Sequence, residues 1–518
     1  MGWIVWSVEL VALVVASLAL LAVRLYAAGR VGFGDSEALY TCYAIHPQPA
    51  YLDHPGLVGL LARSIGSGTA PTPERAHMAT ALLATAFPLV ITWACRACGV
   101  PRKRALAAGL VVALVPEIAI GLFAMTPDLP LSFAWAISIG SAAWALRSKP
   151  GSVRAAIGFA SSGLCAGIGC ACKVTGVLLF VSLAVTYALR PLRSYARSWA
   201  PWAGLGAGAI VPLPIVLFEV DSRYPMLRHR LVDTQAEAGI SLRNVGATVA
   251  GQIVYLSPLV AALAVMAAMA AWRGRRDPVG ALLLTTFAVP LAALLPLCVW
   301  SRSAEPHWLA PSLIALVFVA ARTPASTPRR LVGASCALAG ALVMAVHAWV
   351  LSATVANLAS PSADPRLDIS NELYGWADVT RAVREEGSAR RLAGLGEDSI
   401  AVVGPHWVIC AQLDSALRGE LPVGCNTPIR DDFDDWFPRS RWNDADAILW
   451  VTDGRFGPPP EFAGRVAIHS RRVDIRRGHR TVRTFTLTWL ERRGLAAAQS
   501  APQLAAVPYR HRSRGWAW

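Results

Sequence analysis

The chain has 518 residues, of which 55% are hydrophobic and only 16% are charged, and its mean hydropathy is +0.45. Soluble domains have roughly 45–50% apolar and about 25% charged residues. This composition excludes a disordered protein, a nucleic-acid-binding domain and an ordinary soluble enzyme. The net charge of +15 does not indicate nucleic-acid binding, because the basic residues form short clusters between apolar runs, as in multi-span membrane proteins.

Apolar runs of about 20 residues, the length of a helix that crosses a bilayer, recur over residues 1–355. They predict a mainly α, polytopic helical bundle of eleven spans, two of which form a tight hairpin around Lys173. The predicted spans are 3–28, 76–95, 105–124, 129–147, 155–172, 174–190, 199–219, 248–272, 279–300, 308–321 and 331–355.

Basic residues are concentrated in alternate short loops. The loops after the second, fourth, sixth, eighth and tenth spans each contain three or four, whereas 125–128 contains none and 301–307 contains only Arg302. By the positive-inside rule, the N-terminus is expected to be cytoplasmic. The first loop, the segment 220–247 and the tail from 356 are then extracytoplasmic. The Ala-, Arg- and Gly-rich composition favours a GC-rich bacterium as the source, and the expected location is the inner (plasma) membrane.

Residues 356–518 have a different composition. Apolar runs shorten to strand length at 399–403 and 447–451, and charged residues, Pro and Gly return. Together with an amphipathic helix at 374–386, these strands predict a small α/β domain outside the membrane. The last stretch, 509–518, is basic and aromatic.

The predicted organisation is therefore a transmembrane domain, 1–355, followed by an extracytoplasmic domain, 356–518. The second domain contains Cys410 and Cys425, which could form a disulfide in an oxidising compartment. The seven cysteines in or beside the predicted spans are interpreted as small buried residues.

Ionisable side chains at membrane depth cost free energy to bury, so each one suggests a functional role. Here they collect in the predicted outward loops, and the first of these contains Asp35, Glu37, Tyr51, Asp53 and His54. A paired-carboxylate site can keep one group as a base near neutral pH. Asp35 also stands where a helix N-cap would, so capping is an equal alternative.

Two further outward positions carry a charge. Asp128, at the end of the turn 125–128, either caps the next helix or belongs to a site. Lys173 has no acidic neighbour in the sequence. It either extends to the membrane interface or binds a phosphate as a point charge.

The segment 220–247 contains Arg228, Arg230 and Arg243, which suit an anionic lipid head group, although a solvated loop explains them equally well. Glu305 and His307 precede a span and either anchor it at the interface or line a site. The sequence has no Gly-x-x-x-x-Gly-Lys-Ser/Thr loop, dinucleotide motif or Gly-x-Ser-x-Gly elbow, so direct use of ATP is not expected.

Taken in order, these motifs resemble those of the GT-C membrane glycosyltransferases, in the branch of aminoarabinose transferases and protein O-mannosyltransferase-like proteins. Residues 35–40, Asp-Ser-Glu-Ala-Leu-Tyr, look like the family's Asp-Glu-Ala-x-Tyr motif. Residues 51–56, Tyr-Leu-Asp-His-Pro-Gly, look like its Tyr-Phe-Asp-His-Pro-Pro motif. Later motifs are matched by residues 126–131, 173–175, 241–258 and 305–308. The resemblance covers residues 30–320.

Two positions depart from the family pattern. Ser36 separates Asp35 from Glu37, where the family has adjacent Asp and Glu, so a register with Ser36 in place of the catalytic acid is an alternative. We favour Asp35, because a one-residue shift in a loop is less costly than the loss of a base. Gly56 replaces the second proline of its motif.

The resemblance implies an enzyme that transfers a sugar from a polyprenyl-phosphate donor to a lipid, protein or glycan acceptor at the extracytoplasmic face, with inversion. Asp35 would be the general base, supported by Glu37, and the polyprenyl tail would lie in a groove between spans. Phosphate binding and pocket shape are assigned to Lys173, Arg228, Arg230, Arg243, Asp53, His54, Asp128, Tyr51, Glu305 and His307. No cofactor is required, but a divalent metal ion at Asp53, His54 and Asp128 is compatible with these residue types.

Two other classes remain open. A transporter or lipid flippase would need Glu9 or Glu117, the acids inside predicted spans, although no midplane site is indicated. A non-catalytic membrane scaffold would function unchanged with Asp35→Asn. Membrane lipids are expected partners and nucleic acid is not, while the sugar, the acceptor and the oligomeric state do not follow from the sequence.

Overall fold

The structure is a computed structural model of the chain, and it divides into two compact units. The membrane unit comprises Met1–Ala27, Gln48–Val58 and His77–His347, and the sheet unit comprises Ala28–Pro47, Gly59–Ala76 and Ala348–Trp518. The described residues are 7–235, 238–301, 305–323, 329–359, 364–392, 395–396 and 399–493. The basic and aromatic segment 509–518 lies outside them.

Apolar helices dominate the described part of the membrane unit. Six are long and apolar enough to cross a membrane, and the number rises to ten if each of four bent helix pairs is one span. The predicted polytopic bundle is thereby confirmed. The six helices are Val8–Ala28, Pro73–Ala97, Asp128–Leu146, Val153–Cys172, Pro278–Trp300 and Arg329–Leu351.

Three predicted spans, 105–124, 199–219 and 248–272, contain a break at which the helix bends by 50° to 105°, whereas the span predicted at 174–190 ends at the fourth bend. Proline occupies one of the first two positions after every break, where its missing N–H and its ring end the preceding helix. The pairs are Arg102–Leu114 with Pro116–Phe123, Val174–Ala188 with Arg190–Ala196, Ala200–Ile210 with Leu213–Asp221, and Leu242–Leu256 with Pro258–Gly274.

Shorter helices connect these elements. The predicted span 308–321 corresponds to the short apolar helix Pro306–Arg322, whose first turn is a 3-10 helix. The other short helices are Asp35–Cys42, Leu57–Ile65, Pro225–Leu231, Asp233–Gln235 and Ala353–Ala359.

Glycine allows one helix pair to pack with its backbones almost in contact. A Cβ added at Gly163 would lie 1.8 Å from Gly204 O, and one added at Gly204 would lie 2.4 Å from Phe159 O. The glycines are spaced Gly-x-x-x-Gly on both helices, which is the usual pattern for close approach in membranes. They are Gly163 and Gly167 on Val153–Cys172, and Gly204 and Gly208 on Ala200–Ile210.

Arg24 is a buried charge within the first span. Its guanidinium donates to Ala119 O over 2.8 Å and to Thr85 Oγ1 over 3.2 Å. It thereby binds a carbonyl at the end of the short helix Pro116–Ala119, where no helical partner follows.

The described strands of the sheet unit are β1 Ile400–Gly404, β2 Val423–Cys425, β3 Ala447–Asp453, β4 Arg465–Arg477 and β5 Arg480–Arg492. They form one mixed sheet in the order β2-β1-β3-β5-β4. Strand β1 pairs in parallel with β2 and with β3, while β5 pairs antiparallel with β3 and with β4. The predicted strands at 399–403 and 447–451 are confirmed as β1 and β3.

Helices cover this sheet. The amphipathic helix predicted at 374–386 is present as Trp376–Leu392, and it places Trp376, Val379 and Val383 in the core. Cys410 Sγ and Cys425 Sγ lie 2.7 Å apart as free thiols. The remaining helices of this part are Pro365–Leu367, Ile369–Leu373, Trp407–Leu417, Phe433–Trp436 and Arg439–Asp444.

The helix Asp35–Cys42 is part of the sheet unit although it lies far from the other residues in sequence. Gly32 N donates to Leu373 O over 2.8 Å, and Gln412 Nε2 donates to Phe33 O over the same distance. These contacts hold the backbone immediately before Asp35.

Candidate active site

Asp53 and His54 lie at the tip of a tight turn in the membrane unit. Tyr51 N donates to His54 O over 2.9 Å and closes the turn. A Cβ at Gly56 would lie 2.4 Å from Gln48 O, so only glycine fits at this position without a shift of the backbone.

Arg230 binds this turn through three polar contacts. Its Nη2 lies 3.1 Å from Asp53 Oδ1 and 3.3 Å from His54 Nε2, and its Nε donates to Asp53 O over 3.0 Å. His229 Nε2 lies 3.9 Å from Asp53 Oδ1. The turn and the arginine therefore form one polar cluster.

The short helix Pro225–Leu231 carries Arg230 to this place. Its first turn is capped by Glu219, a buried carboxylate that accepts from Met226 N and Leu227 N over 3.2 Å each. Tyr224, the residue before the helix, has φ +59°. A non-glycine residue in this left-handed region is uncommon.

Lys173 forms a second cluster with Asp128. Lys173 Nζ lies 2.9 Å from Asp128 Oδ1 and 3.1 Å from Oδ2. His307 Nε2 lies 3.8 Å from Asp128 Oδ2, and His307 Nδ1 lies 3.0 Å from Glu305 Oε2. Pro127 is the N-cap residue of this helix and Asp128 is its first helical residue, so Asp128 is not the N-cap, and its carboxylate pairs with Lys173.

The charges of both clusters act on the imidazole of His54. Burial, together with the nearby Arg230, Lys173 and His307, holds the pKa of His54 well below its ordinary value of 6.5. His54 is therefore neutral and accepts the hydrogen bond from Arg230. The two clusters form one group of basic and acidic side chains in the membrane unit.

The later sequence motifs hold the segment that carries His307. Gln252 Nε2 donates to Pro306 O over 2.7 Å, and a Cβ at Gly251 would lie 2.3 Å from Pro306 Cβ. Asn244 Nδ2 donates to Ser301 O over 3.3 Å. Residues 241–258 thus support the loop beside Asp128.

Three predicted site residues lie elsewhere or play another part. Arg228 is 74% exposed and pairs with Asp233 at 3.6 Å, and Arg243 is exposed. Tyr51 is buried, and its hydroxyl accepts from Gln48 N over 2.9 Å. Of the three predicted arginines, only Arg230 joins the polar cluster.

Asp35 forms an ion-pair network inside the sheet unit. Arg455 Nη1 lies 3.3 Å from Asp35 Oδ2 and 3.1 Å from Glu372 Oε1. Arg455 Nε lies 3.0 Å from Asp453 Oδ2, which also pairs with Arg483 Nη2 at 2.6 Å. Asp35 Oδ1 is buried and has no hydrogen-bond partner among the described residues.

Glu37, not Asp35, caps the helix Asp35–Cys42. Its Oε2 accepts from Gly34 N over 2.9 Å, and Gly34 is the N-cap residue. Asp35 is the first helical residue, so its interpretation as the N-cap is wrong. Ser36 is exposed.

Burial opposes ionisation in this network. It raises the pKa of Asp35 above 3.8, an effect that Arg455 and Arg483 partly offset. Burial and the neighbouring Asp35 also raise the pKa of Glu372 above 4.5. These carboxylates therefore depend on the arginines for their charge.

Sequence reasoning missed the residues that surround Asp35. Asp453 is the last residue of β3, two residues beyond the strand predicted at 447–451, and Arg455 follows it by two residues in a loop, which is a common place for functional side chains. Glu372 and Arg483 carry no local signal, since only the tertiary fold brings them to this place.

The carboxylates suggested as metal ligands are already paired. Asp53 binds Arg230 and Asp128 binds Lys173, while His54 faces the Arg230 guanidinium. In the part of the chain that the structure describes, no three His, Cys, Asp or Glu side chains are grouped so that they could hold a metal. The residues as arranged do not fit a resident ion.

The membrane unit also contains a cavity of about 720 Å³, lined mostly by apolar side chains. It follows the helix Arg102–Leu114, with Lys103 and Arg104 at one end and Glu117 near the other. A helix of this length measures about 20 Å. Ser132, which also lines the cavity, lies one turn from Asp128 on the same helix.

Comparison with solved structures identifies the fold. The chain is similar to ArnT from Cupriavidus metallidurans bound to undecaprenyl phosphate, with 15% identity, a TM-score of 0.59 and coverage of 92% of this chain and 97% of that one. It is also similar to the oligosaccharyltransferase AglB from Archaeoglobus fulgidus in complex with an inhibitory peptide and a dolichol-phosphate. That likeness has 12% identity, a TM-score of 0.50 and coverage of 87% and 70%.

The chain has the GT-C fold. No protein-family model matches the sequence, and no curated protein matches it either. The resemblance read from the ordered motifs is thereby confirmed at the level of the fold. The GT-C fold runs through both units, since the similarity to ArnT covers almost the whole chain.

Proposed function

We propose that this protein is a membrane glycosyltransferase that takes a sugar from a polyprenyl-phosphate donor. The observation that carries this proposal is the group of basic side chains around Lys173 and Arg230 in a chain with the GT-C fold. ArnT and AglB, which share the fold, were solved with lipid phosphates. The proposal does not specify which sugar is transferred or which acceptor receives it.

The donor phosphate is assigned to Lys173 and Arg230. Both cations already pair with a carboxylate, Asp128 and Asp53 respectively, which orients them before the donor binds. Charge-assisted hydrogen bonds to phosphate are roughly twice as strong as neutral ones. As the sugar–phosphate bond breaks, these cations stabilise the negative charge that grows on the leaving phosphate.

Asp35 is assigned as the general base. The acceptor hydroxyl gives its proton to Asp35 Oδ1 while its oxygen bonds to the anomeric carbon from the side opposite the phosphate. The bond from that carbon to the phosphate oxygen breaks, and its electron pair leaves with polyprenyl phosphate. The product therefore has inverted configuration, and no general acid is needed because the leaving group is already anionic.

Two buried atoms without partners among the described residues support a hydroxyl acceptor. They are Asp35 Oδ1, which can only accept while ionised, and Arg455 Nη2, which can only donate. Buried polar atoms are usually hydrogen-bonded, so these two atoms call for a partner. A hydroxyl group both donates and accepts, and it is the simplest group that satisfies both atoms.

The apolar cavity is assigned to the polyprenyl tail. Its walls are aliphatic along the helix Arg102–Leu114, and Ser132 places one part of it a turn from Asp128.

The charge bias of the loops supports a cytoplasmic N-terminus and a reaction at the extracytoplasmic face.

A transfer assay on the full chain tests the proposal. The protein is purified in detergent with native-membrane lipid extract as the acceptor source, and a panel of radiolabelled polyprenyl-phosphate sugars is supplied. Wild type is expected to move label to an acceptor. Asp35→Asn is expected to lose about 10²- to 10⁴-fold of the rate, the usual contribution of a general base.

Ser36→Ala is the matched control on the neighbouring residue. It is expected to keep wild-type activity, because Ser36 is exposed. Loss of activity in Ser36→Ala but not in Asp35→Asn would move the base to the other register. Absence of both donor binding and transfer in wild type would reject the enzyme in favour of a transporter or a scaffold.

A further inference from the structure

The environment of Asp35 is arranged around one guanidinium. Arg455 Nη1 is shared between Asp35 Oδ2 at 3.3 Å and Glu372 Oε1 at 3.1 Å. All three side chains belong to the sheet unit. The arginine therefore divides its hydrogen-bonding capacity between the proposed base and a second carboxylate.

Arg455 is itself fixed by its own loop. Its backbone N–H and its Nε both bind the carboxylate of Asp453, the last residue of β3, over 3.0 Å. The Asp453 side chain is only 2% exposed, and it is also held by Arg483 at 2.6 Å. Because Asp453 leaves Arg455 little rotational freedom, Nη1 stays directed toward Asp35.

The charges that face Asp35 come from several elements. Arg455 and Asp453 belong to the end of β3 and the loop after it, Arg483 belongs to β5, and Glu372 belongs to the short helix Ile369–Leu373. His406, before the helix Trp407–Leu417, lies near Arg455, and burial together with that arginine lowers the pKa of His406 to about 4. His406 is therefore neutral. Arg455 and Arg483 favour the ionised form of Asp35, and the side-chain amide of Gln412 adds to their effect.

We propose that Arg455 is a positioning residue for Asp35: it fixes Oδ2, keeps the carboxylate ionised and leaves Oδ1 to take the proton of the acceptor. This inference rests on the proposed function. Glu372 opposes Arg455, because it competes for the same Nη1 and adds a negative charge beside Asp35. The pair sets the pH range in which the base is competent.

The pH profile of kcat separates this role from a merely structural one. Burial already raises the pKa of Asp35, and Arg455 opposes that rise. A nearby opposite charge moves a carboxyl pKa by about 1–3 units. Arg455→Met is therefore expected to shift the acid limb of the profile upward by about one pH unit, with kcat recovering at higher pH. Arg455→Lys, which keeps the charge, is expected to shift it less.

Glu372→Gln is expected to shift the acid limb of the kcat profile in the opposite direction. It frees Arg455 Nη1 for Asp35 and removes the competing charge, so the acid limb is expected to move to lower pH. Glu372 is 37% exposed, so this variant is expected to fold even if Arg455→Met does not. Arg472 forms an exposed ion pair with Asp474 on β4. Arg472→Met is therefore the matched control and is expected to keep the wild-type pH profile.

The outcomes distinguish the inference from the proposed function. If Asp35→Asn keeps full activity, Asp35 is not the base and both fail. If Asp35→Asn is inactive while Arg455→Met and Glu372→Gln keep the wild-type profile, only the inference is overturned. Shifts of the acid limb in opposite directions support it, because damage to the fold would lower kcat at every pH in both variants.

Discussion

Lys173 Nζ lies 2.9 Å from Asp128 Oδ1, so the residue that ends one helix neutralises the residue that begins another. We assign the donor phosphate to this lysine. Lys173→Met is expected to raise KM for the polyprenyl-phosphate donor by about 10- to 100-fold, since a hydrogen bond to a charged group contributes about 1.5–3 kcal/mol. Initial rates over a range of donor concentrations check this value.

The single variant also takes from Asp128 its closest cationic partner among the described residues and leaves His307 at 3.8 Å, which destabilises the protein. The double variant Lys173→Met with Asp128→Asn removes that carboxylate charge. Thermal unfolding is expected to recover toward the wild type, while KM for the donor stays high. If KM recovers together with stability, the lysine is structural and the phosphate binds elsewhere.

Arg230 and Arg228 provide a matched comparison on one short helix. Arg230 contacts Asp53 and His54, whereas Arg228 is 74% exposed. Arg230→Gln is expected to weaken donor binding by at least about tenfold. Arg228→Gln is expected to have almost no effect, since exposed ion pairs contribute about 0–1 kcal/mol. Equal losses of donor affinity in the two variants would contradict the assignment of Arg230.

The fold was largely predictable because its signals are local. A spanning helix needs a continuous apolar run, and the boundaries of such runs are visible in the sequence. The bends were not predicted, since Pro116 and Pro258 lie within or beside apolar runs and barely change their hydropathy. Proline acts on the backbone instead, because its missing N–H and its ring end the first helix of each pair.

The site was predictable in its residue types but not in its pairings. Asp128 and Lys173 are 45 positions apart, and Asp35 and Arg455 are 420 positions apart. No periodicity connects residues at such distances. The motif order predicted which side chains belong to a site, while the tertiary fold places Arg230 and not Arg228 beside Asp53.

Close glycine packing gives a test of the helix bundle. Gly204 faces Phe159 O, where an added Cβ would lie 2.4 Å away, whereas a Cβ at Gly206 on the same helix would meet nothing within 4 Å. Gly204→Leu is expected to lower the free energy of unfolding by about 1–3 kcal/mol, as overpacking does. Gly206→Leu is expected to leave it unchanged or slightly raised, because leucine has the higher helix propensity. Thermal unfolding in detergent measures both variants, and equal destabilisation would show that this packing is absent.

Cys410 and Cys425 test the compartment of the sheet unit. Both thiols are buried beside each other, 15 positions apart in sequence. In an oxidising extracytoplasmic compartment they are expected to form a disulfide, with a thiol–disulfide oxidoreductase accepting the two electrons. A loop of this length contributes about 3 kcal/mol of stability in the chain-entropy description.

Protein isolated from membranes and alkylated before digestion is therefore expected to yield a linked 410–425 peptide by mass spectrometry. Reduction is expected to lower the unfolding temperature of wild type but not of the double variant Cys410→Ser with Cys425→Ser, which has no bond to lose. Alkylation of both cysteines in unreduced protein would instead place the sheet unit in the reducing cytoplasm, and the orientation inferred from the loop charges would then be reversed.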